Sequence, residues 1–367
     1  MFVEKTTVPR MAELDTKVAT SLENKNLDGD DLTYPAAYVY SLNDEEKAEM
    51  KVAMQHFKAL GLDGDQVSPR VFPLPTLGKV LRDLATELHD GRGFFVLRGL
   101  DPREISLEDK ILRYLAITSY VADKIGVQDD HGNVFAHIRE AKYSLECQED
   151  RPVRDSKLAS HFHTDEACDI MAMYTSGLAA QGGNHIVASS YAVYESIHQC
   201  HPDALDTLME PIWHFDTRGR LAHEQARPIL YRHDGRIIFN FNRQALQGAP
   251  GVDAVNLESP LSRKQIEALD AVEAAARSVQ IPLKAELGDI TFVNNFSMLH
   301  ARESFIDSPW QTRHLVRLWL KSSDLAYPLP QPLAELNGRL FDESVRRSWN
   351  VLPKARLTFS LGERLGP

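Results

Sequence analysis

Three residues with the chemistry of metal ligands stand out in this sequence: His163 and Asp165, which are separated only by Thr164, and the distant His300. Two imidazoles and one carboxylate are the set that binds non-haem Fe(II) on one face and leaves coordination positions open. Side chains alternate along a strand, so His163 and Asp165 point to the same side if they lie on one. The pattern predicts a two-ligand segment that His300 completes.

The neighbouring residues allow other assignments of the metal ligands. His161 lies on the same side of such a strand and is a competing ligand beside His163, whereas Glu166 faces away if the strand continues. A His-x-Asp tripeptide is also common as a polar turn at the start of a strand, and a lone histidine after an apolar strand is often structural. The assignment therefore depends on the rest of the chain.

Two arginines lie on an apolar run at residues 313–320, which is predicted to be a strand. Arg313, Leu315 and Arg317 share one face of it. A buried guanidinium needs an anionic partner, and its planar fork suits bidentate binding of a carboxylate. The pattern indicates a carboxylate-binding site; surface or interface salt bridges are the alternative.

The elements that position these residues follow from periodicity and turn residues. Helices are predicted at 43–60, 77–88, 107–125, 201–209 and 261–279, the first capped by Asn43. Strands are predicted at 93–97, 169–174, 185–189, 228–232, 236–241, 282–287, 289–294 and 313–320. Many short strands with a few helices favour an α+β, mainly β, antiparallel barrel or sandwich over a doubly wound sheet.

Three intervals divide the chain in this interpretation: an N-terminal arm at residues 1–42, one domain at 43–325 and a helical tail at 326–367. The net charge of −11 without a basic run argues against nucleic acid as a partner. Three scattered cysteines, no apolar leader and no run of eighteen apolar residues lead us to expect a cytoplasmic protein without a membrane partner.

Taken together, the segments resemble the Fe(II)/2-oxoglutarate-dependent dioxygenases of the taurine dioxygenase, clavaminate synthase and γ-butyrobetaine hydroxylase group. The resemblance covers roughly residues 75–325 and rests on order and spacing, with Arg313 thirteen positions (313 − 300) after His300. Three further segments are similar to that group: the early strand at 91–100, the Gly-Gly segment at 182–185 and the distal histidine block at 294–302.

The resemblance implies a double-stranded β-helix (jelly-roll) core with flanking helices. It implies that His163, Asp165 and His300 bind Fe(II), and that Arg313 binds the distal carboxylate of 2-oxoglutarate. Arg317 would serve the cosubstrate's other carboxylate or an anionic substrate group. The expected reaction is hydroxylation, desaturation or oxidative cyclisation of a carboxylate- or amino-acid-like small molecule, with release of succinate and CO2.

One position departs from the group. Relatives often have a threonine after Gly-Gly-x to pair with the oxoglutarate arginine, whereas this chain has His185. Either His185 donates that hydrogen bond, or Ser189 or Ser190 replaces it, or the cosubstrate binds differently.

Substrate contacts are harder to read from the sequence. Phe239, Phe241 and Arg243 share one side of a strand and are expected to line the mouth of a pocket, unless they belong to a half-buried strand. Rival functions are a peptide-modifying oxygenase, a cupin-like metalloprotein using His161 and His163 without 2-oxoglutarate, and a non-catalytic barrel. Homo-oligomerisation stays open.

Overall fold

Two largely antiparallel sheets form the centre of the molecule in the computed structural model. It describes residues 35–352 except 104, 142–147, 149–150, 152, 216–225 and 248–259. The ends of the predicted arm and tail, residues 1–34 and 353–367, therefore lie outside the described residues.

The strands are short, as the sequence predicted. In chain order they are β1 Val39–Ser41, β2 Phe94–Arg98, β3 Lys124–Ile125, β4 Ala136–Ile138, β5 Ser160–His163, β6 Ile170–Gly177, β7 Gln181–Gly182, β8 His185–Ser189, β9 Leu230–His233, β10 Arg236–Phe239, β11 Ile281–Leu283, β12 Ile290–Asn294, β13 Met298–Arg302, β14 Phe305–Ile306 and β15 His314–Lys321.

The helices lie outside the two sheets. They are α1 Asp44–Ala59, α2 Leu77–Asp90, α3 Leu107–Val121, α4 Ser190–Cys200, α5 Pro202–Met209, α6 Arg243–Gln247, α7 Arg263–Ser278 and α8 Gln331–Leu340. Asn43 caps α1 as predicted, since its side chain accepts from the Glu46 amide in a capping box.

The larger sheet has seven strands in the order β1-β2-β12-β6-β15-β3, with β4 also pairing with β15. The smaller sheet has four strands in the order β11-β8-β13-β5. Side chains of both sheets form one apolar layer, in which Met171, Met173 and Leu315 of the larger sheet accompany Val187 and Met298 of the smaller one. This is the jelly-roll sandwich that the resemblance implied.

Each outer face of the sandwich has a helical cover. Helices α1, α2 and α3 pack with the larger sheet around Phe95 and Phe292, whose rings stack at a centroid distance of 4.6 Å. Helices α4, α5 and α7, with the β9–β10 hairpin, pack with the smaller sheet. The site residues therefore lie on strands that are braced from outside.

Several elements were not predicted from the sequence. They include α4, α6 and the ligand-bearing strand β13. The division at residue 42 stays a prediction, although β1 lies within the predicted arm and joins the sheet by pairing parallel to β2. Similarly, α8 of the predicted tail packs through Leu333 and Leu336 against Trp319.

Among the described residues, no helix is long and apolar enough to cross a membrane.

Candidate metal centre

His163 and His300 come together because their strands are neighbours. In the antiparallel pairing of β5 with β13 the two residues lie directly opposite each other, and their ring centroids are 4.2 Å apart. His163 Nδ1 lies 2.9 Å from the carbonyl oxygen of His161, which accepts its proton. That bond leaves Nε2 of His163 as the nitrogen with a lone pair for a metal.

Asp165 is positioned by a turn rather than by a strand. Strand β5 ends at His163, and the backbone N–H of Asp165 donates to Asn295 Oδ1 at 2.8 Å. Asn295 Nδ2 donates in return to the carbonyl oxygens of Asp165 and Cys168, at 2.9 and 3.0 Å. Because the strand does not continue, Glu166 does not face away but lines the cavity beside Asp165.

Two donors hold the Asp165 carboxylate. Trp319 Nε1 donates to Oδ2 at 2.7 Å, and Arg317 Nη1 donates to Oδ1 at 2.9 Å. Gln128 fixes the arginine in turn: Arg317 Nε donates to Gln128 Oε1, and Gln128 Nε2 donates to the Arg317 carbonyl oxygen, both at 3.0 Å. In this structure Arg317 therefore orients the predicted carboxylate ligand.

One metal ion fits between the three side chains. Their ligand atoms all lie within 4.8 Å of one another, and His300 Nε2 is 3.8 Å from Asp165 Oδ1. Bonds of about 2.0–2.2 Å from imidazole nitrogen and carboxylate oxygen to a metal can bridge that gap. Neither ring nitrogen of His300 has a hydrogen-bond partner within the described residues, although both are buried. Such a group is costly unless something binds it.

The charge states also suit a metal. Burial holds the pKa of His300 well below its ordinary value, and burial also lowers the pKa of His163. Burial opposes ionisation of Asp165, but the charge of Arg317 and the hydrogen bond from Trp319 favour the ionised form, and the pKa of this carboxyl lies below its ordinary value. Two neutral imidazoles and an ionised carboxylate are the forms that bind a cation.

Arg313 lines the same cavity. It is 4% exposed, and its Nε donates to the Gly183 carbonyl oxygen at 2.9 Å. Its Nη1 has no hydrogen-bond partner within the described residues. Burial, together with neighbouring Arg302, lowers the pKa of Arg313 to about 9. An anion at Nη1 would satisfy the donor and stabilise the charge.

His185 is a neighbour of this arginine. It is 7% exposed, lines the cavity, and its Nε2 is buried without a partner in the described part of the chain. Burial and then the charges of Arg313 and Arg302 lower the pKa of His185 to about 3. The ring is thus neutral and can donate one hydrogen bond and accept one.

All these groups face one cavity of about 670 Å³ between the sheets. Met171, Met173, Val187 and Leu315 give it apolar walls. A volume of this size suits a small molecule.

The predicted substrate residues Phe239 and Phe241 are not part of this cavity. Both are 0% exposed and belong to the apolar cluster under α4, α5 and α7, so the prediction that they line the pocket is wrong. Phe239 ends β10 and Phe241 lies two residues beyond the strand, and both rings pack with these helices. Asn242 and Arg243, which follow it, line the cavity instead.

His161 does not join the three ligands. Its side chain is 65% exposed, and Nδ1 lies 3.4 Å from Glu273 Oε1. The period-two argument correctly placed it on the cavity side of β5, since it lines the cavity, but its side chain lies beside Glu273 and not with the three ligand atoms.

Sequence reasoning missed three residues of the site: Trp319, Asn295 and Glu166. Trp319 could have been found, because it follows Arg317 by two positions on the same face of β15. Asn295 and Glu166 depend on the turn after β5, for which the sequence gives no periodic signal.

Comparison with known proteins decides the family. Residues 56–319 of this chain match the protein family described as "Taurine catabolism dioxygenase TauD, TfdA family". The chain belongs to this family. A taurine hydroxylase-like protein, SAT17, of Stachybotrys chartarum is 32% identical over 96% of this chain and 94% of its own length. The FR-33289 synthase of Streptomyces rubellomurinus is 25% identical over 88% and 92%, respectively.

Solved structures show the same fold at lower identity. Asparagine oxygenase aligns with a TM-score of 0.60 at 13% identity, over 78% of this chain and 93% of its own. The non-haem iron oxygenase OrfP, in complex with Fe, succinate and (3S)-hydroxy-L-Arg, aligns with a TM-score of 0.57 at 18% identity, over 78% and 94%.

As a family member, the protein is a non-haem iron dioxygenase that uses 2-oxoglutarate and oxidises a small molecule. The predictions of family, enzyme class and cofactors are thereby confirmed.

Proposed function

We propose that His163, Asp165 and His300 hold the Fe(II) and that Arg313 holds the distal carboxylate of 2-oxoglutarate. The observation that supports this most is the meeting of three ligand atoms within 4.8 Å in a cavity that also contains the buried Arg313. When bound, Fe(II) with 2-oxoglutarate and oxygen supplies the oxidation and yields succinate and CO2.

The protein's own residues supply geometry and an enclosed site. Arg317 and Trp319 fix the carboxylate ligand, and the carbonyl of His161 fixes the His163 ring. The methionine and valine walls limit water near the metal. We infer that His185 takes the place of the family's threonine by donating one hydrogen bond to the cosubstrate.

The proposed substrate is an amino-acid-like or carboxylate small molecule, and the proposed outcome is hydroxylation. Two structural neighbours support this: one is named asparagine oxygenase, and the other is seen with (3S)-hydroxy-L-Arg. Among the cationic side chains that line the cavity, Arg302 suits a carboxylate group, since the oxygens to which it donates are neutral carbonyls. We also keep a cytoplasmic location as a proposal, since three cysteines fit a reducing compartment.

The test is succinate release from 2-oxoglutarate under oxygen, measured with a panel of amino acids and small carboxylates. The wild type should release succinate only when Fe(II), oxygen and 2-oxoglutarate are all present. His300→Ala should abolish release, whereas His161→Ala should retain it. Turnover without 2-oxoglutarate, or iron loss in His161→Ala, would favour the cupin-like alternative.

A further inference from the structure

The cavity contains one carboxylate for which the site described above provides no partner. Only two acidic residues line its described part, Asp165 and Glu166. Asp165 is engaged by Arg317 and Trp319. The Glu166 side chain makes no hydrogen bond or ion pair within the described residues.

The backbone fixes Glu166 in this place. Its carbonyl oxygen accepts from Asn240 Nδ2 at 3.0 Å and from Asn295 Nδ2 at 3.3 Å. The side chain is therefore held at the cavity wall by main-chain contacts, without using its own carboxylate. An ionised group in such a place is costly unless a cation meets it.

The arginines that line the cavity already have oxygen partners. Arg243 pairs with Asp270 at 2.6 Å, Arg154 with Asp155 at 3.8 Å, and Arg151 with Glu140 at 4.0 Å. Arg317 holds Asp165, and Arg302 donates to the carbonyl oxygens of Ser156 and Leu158. None of these pairs involves Glu166.

Burial raises the pKa of Glu166, and the charges of two cations, Arg227 and then Arg317, oppose that rise. Neither arginine forms an ion pair with Glu166 within the described residues, and Arg317 already holds Asp165. The other cation, Arg227, has contacts of its own. It does not line the cavity: it is 1% exposed, its guanidinium stacks on Phe215 at 3.7 Å, and it donates to Asn240 Oδ1 at 3.1 and 3.3 Å. Glu166 is a lining residue of the cavity and Arg227 is not, so Arg227 does not occupy the cavity side of Glu166.

We propose that Glu166 binds a cationic nitrogen of the substrate, so that the enzyme acts on a primary amine or guanidine rather than on a purely anionic molecule. This inference rests on the proposed function, because it places the amine in the same cavity as the iron and 2-oxoglutarate. Glu166 directly follows the proposed ligand Asp165, whose negative charge is balanced by Arg317. A charge-assisted hydrogen bond from an ammonium satisfies the remaining carboxylate.

The test compares Glu166→Gln and Glu166→Asp with Glu267→Gln, which removes an exposed carboxylate paired with Arg263. The probes are L-amino acids and small primary amines, each matched to an analogue with hydrogen in place of the amino group. The readouts are oxygen uptake and the perturbation by each probe of the visible band of the anaerobic Fe(II)·2-oxoglutarate complex.

The wild type and Glu267→Gln should prefer amines to their analogues. Glu166→Gln should raise the apparent KM for the amine about 10- to 100-fold and remove the preference, and Glu166→Asp should restore part of it. The KM for 2-oxoglutarate should change little in comparison.

Three outcomes overturn the inference. The first is that no amine in the panel is preferred by the wild type. The second is an amine preference that survives in Glu166→Gln. The third is a lowered melting temperature in both Glu166 variants with the preference intact, as expected if Glu166 only balances Arg227. Absence of the visible band in the wild type would instead count against the proposed function itself.

Discussion

The contact between Gly183 and Arg313 makes the cosubstrate site sensitive to a single methyl group. Gly183 has a φ of +79°, and a Cβ there would lie 2.7 Å from Arg313 Cδ and 2.8 Å from Nε. Gly183→Ala must therefore displace the guanidinium. We expect the 2-oxoglutarate concentration for half-maximal activity to rise about tenfold, as for the loss of one charge-assisted hydrogen bond.

Gly235 offers a matched control for this prediction. Its φ is +70°, so alanine strains the backbone in the same way, but nothing lies within 4 Å of the added Cβ. Gly235→Ala should keep the wild-type requirement for 2-oxoglutarate. An equal requirement in both variants would show that Arg313 does not bind the cosubstrate.

Trp319 allows the support of a proposed iron ligand, Asp165, to be measured. Trp319→Phe keeps an aromatic ring but removes the Nε1 donor to Asp165 Oδ2. Loss of such a donor to a ligand weakens metal binding about 10- to 100-fold, so Fe(II) titration should show a dissociation constant raised by that factor. Trp310→Phe, at a side chain 93% exposed, should bind Fe(II) like the wild type. Unchanged affinity in Trp319→Phe would contradict the role of Trp319.

Some of these residues followed from the sequence and others could not. Alternation correctly grouped Leu315 and Arg317 of β15 with Arg313, the residue before the strand, since all three line the cavity. The same reasoning failed for Glu166, because the chain leaves the strand after His163 and hydrogen bonds from a distant asparagine then set its direction.

At the scale of elements, the last helix is tied to the start of β6 by a buried polar cluster. Asn337 on α8 donates from Nδ2 to Asp169 Oδ2 and to the Ala167 carbonyl oxygen, both at 2.7 Å. Lys321 Nζ donates to Asn337 Oδ1 at 2.5 Å. Burial nevertheless raises the pKa of Asp169 to about 6, since the opposing effects of Lys321 and Asn337 are smaller.

This cluster predicts a pH-dependent contribution to stability. The folded protein binds the Asp169 proton more tightly than the unfolded chain, whose aspartate pKa is about 3.9. The stabilisation is thus complete below about pH 4 and is lost as the pH rises to about 6, by roughly 3 kcal/mol in all. The variant Asp169→Asn has no carboxyl group to titrate at this position. Its free energy of unfolding, relative to that of the wild type, should therefore increase between pH 4 and pH 6.

Denaturant unfolding at several pH values measures this difference directly. Asp324→Asn, at an exposed carboxylate, serves as the control and should run parallel to the wild type. A constant difference between Asp169→Asn and the wild type across the range would show that Asp169 is ionised in the folded protein throughout.

Elements with strong local signals were predicted well. Helix α7 begins after Ser262, which forms a capping box with Gln265, and the β9–β10 hairpin turns at Asp234 and Gly235. Strand β13 was missed, because its pairing with β5 joins residues far apart in the chain, and no local pattern encodes that register.

At the scale of the whole molecule, the sandwich explains why ligands from distant parts of the chain meet. The smaller sheet supplies His163 and His300, and the larger sheet supplies Arg313, Arg317 and Trp319 from β15 and the residue before it. The pattern of many short strands indicated an antiparallel barrel or sandwich, and the resemblance specified the jelly-roll. The residues that cover the cavity are determined by tertiary packing, and no local sequence pattern predicts them.

The central claim is that one cavity binds Fe(II) through His163, Asp165 and His300 and 2-oxoglutarate through Arg313. The most direct measurement is the visible absorption of the anaerobic Fe(II)-loaded protein during titration with 2-oxoglutarate. We predict a charge-transfer band that grows to saturation in the wild type, is lost in His300→Ala, and requires at least about tenfold more 2-oxoglutarate in Arg313→Ala. A wild type without this band, or the same titration curve in Arg313→Ala, would contradict the account.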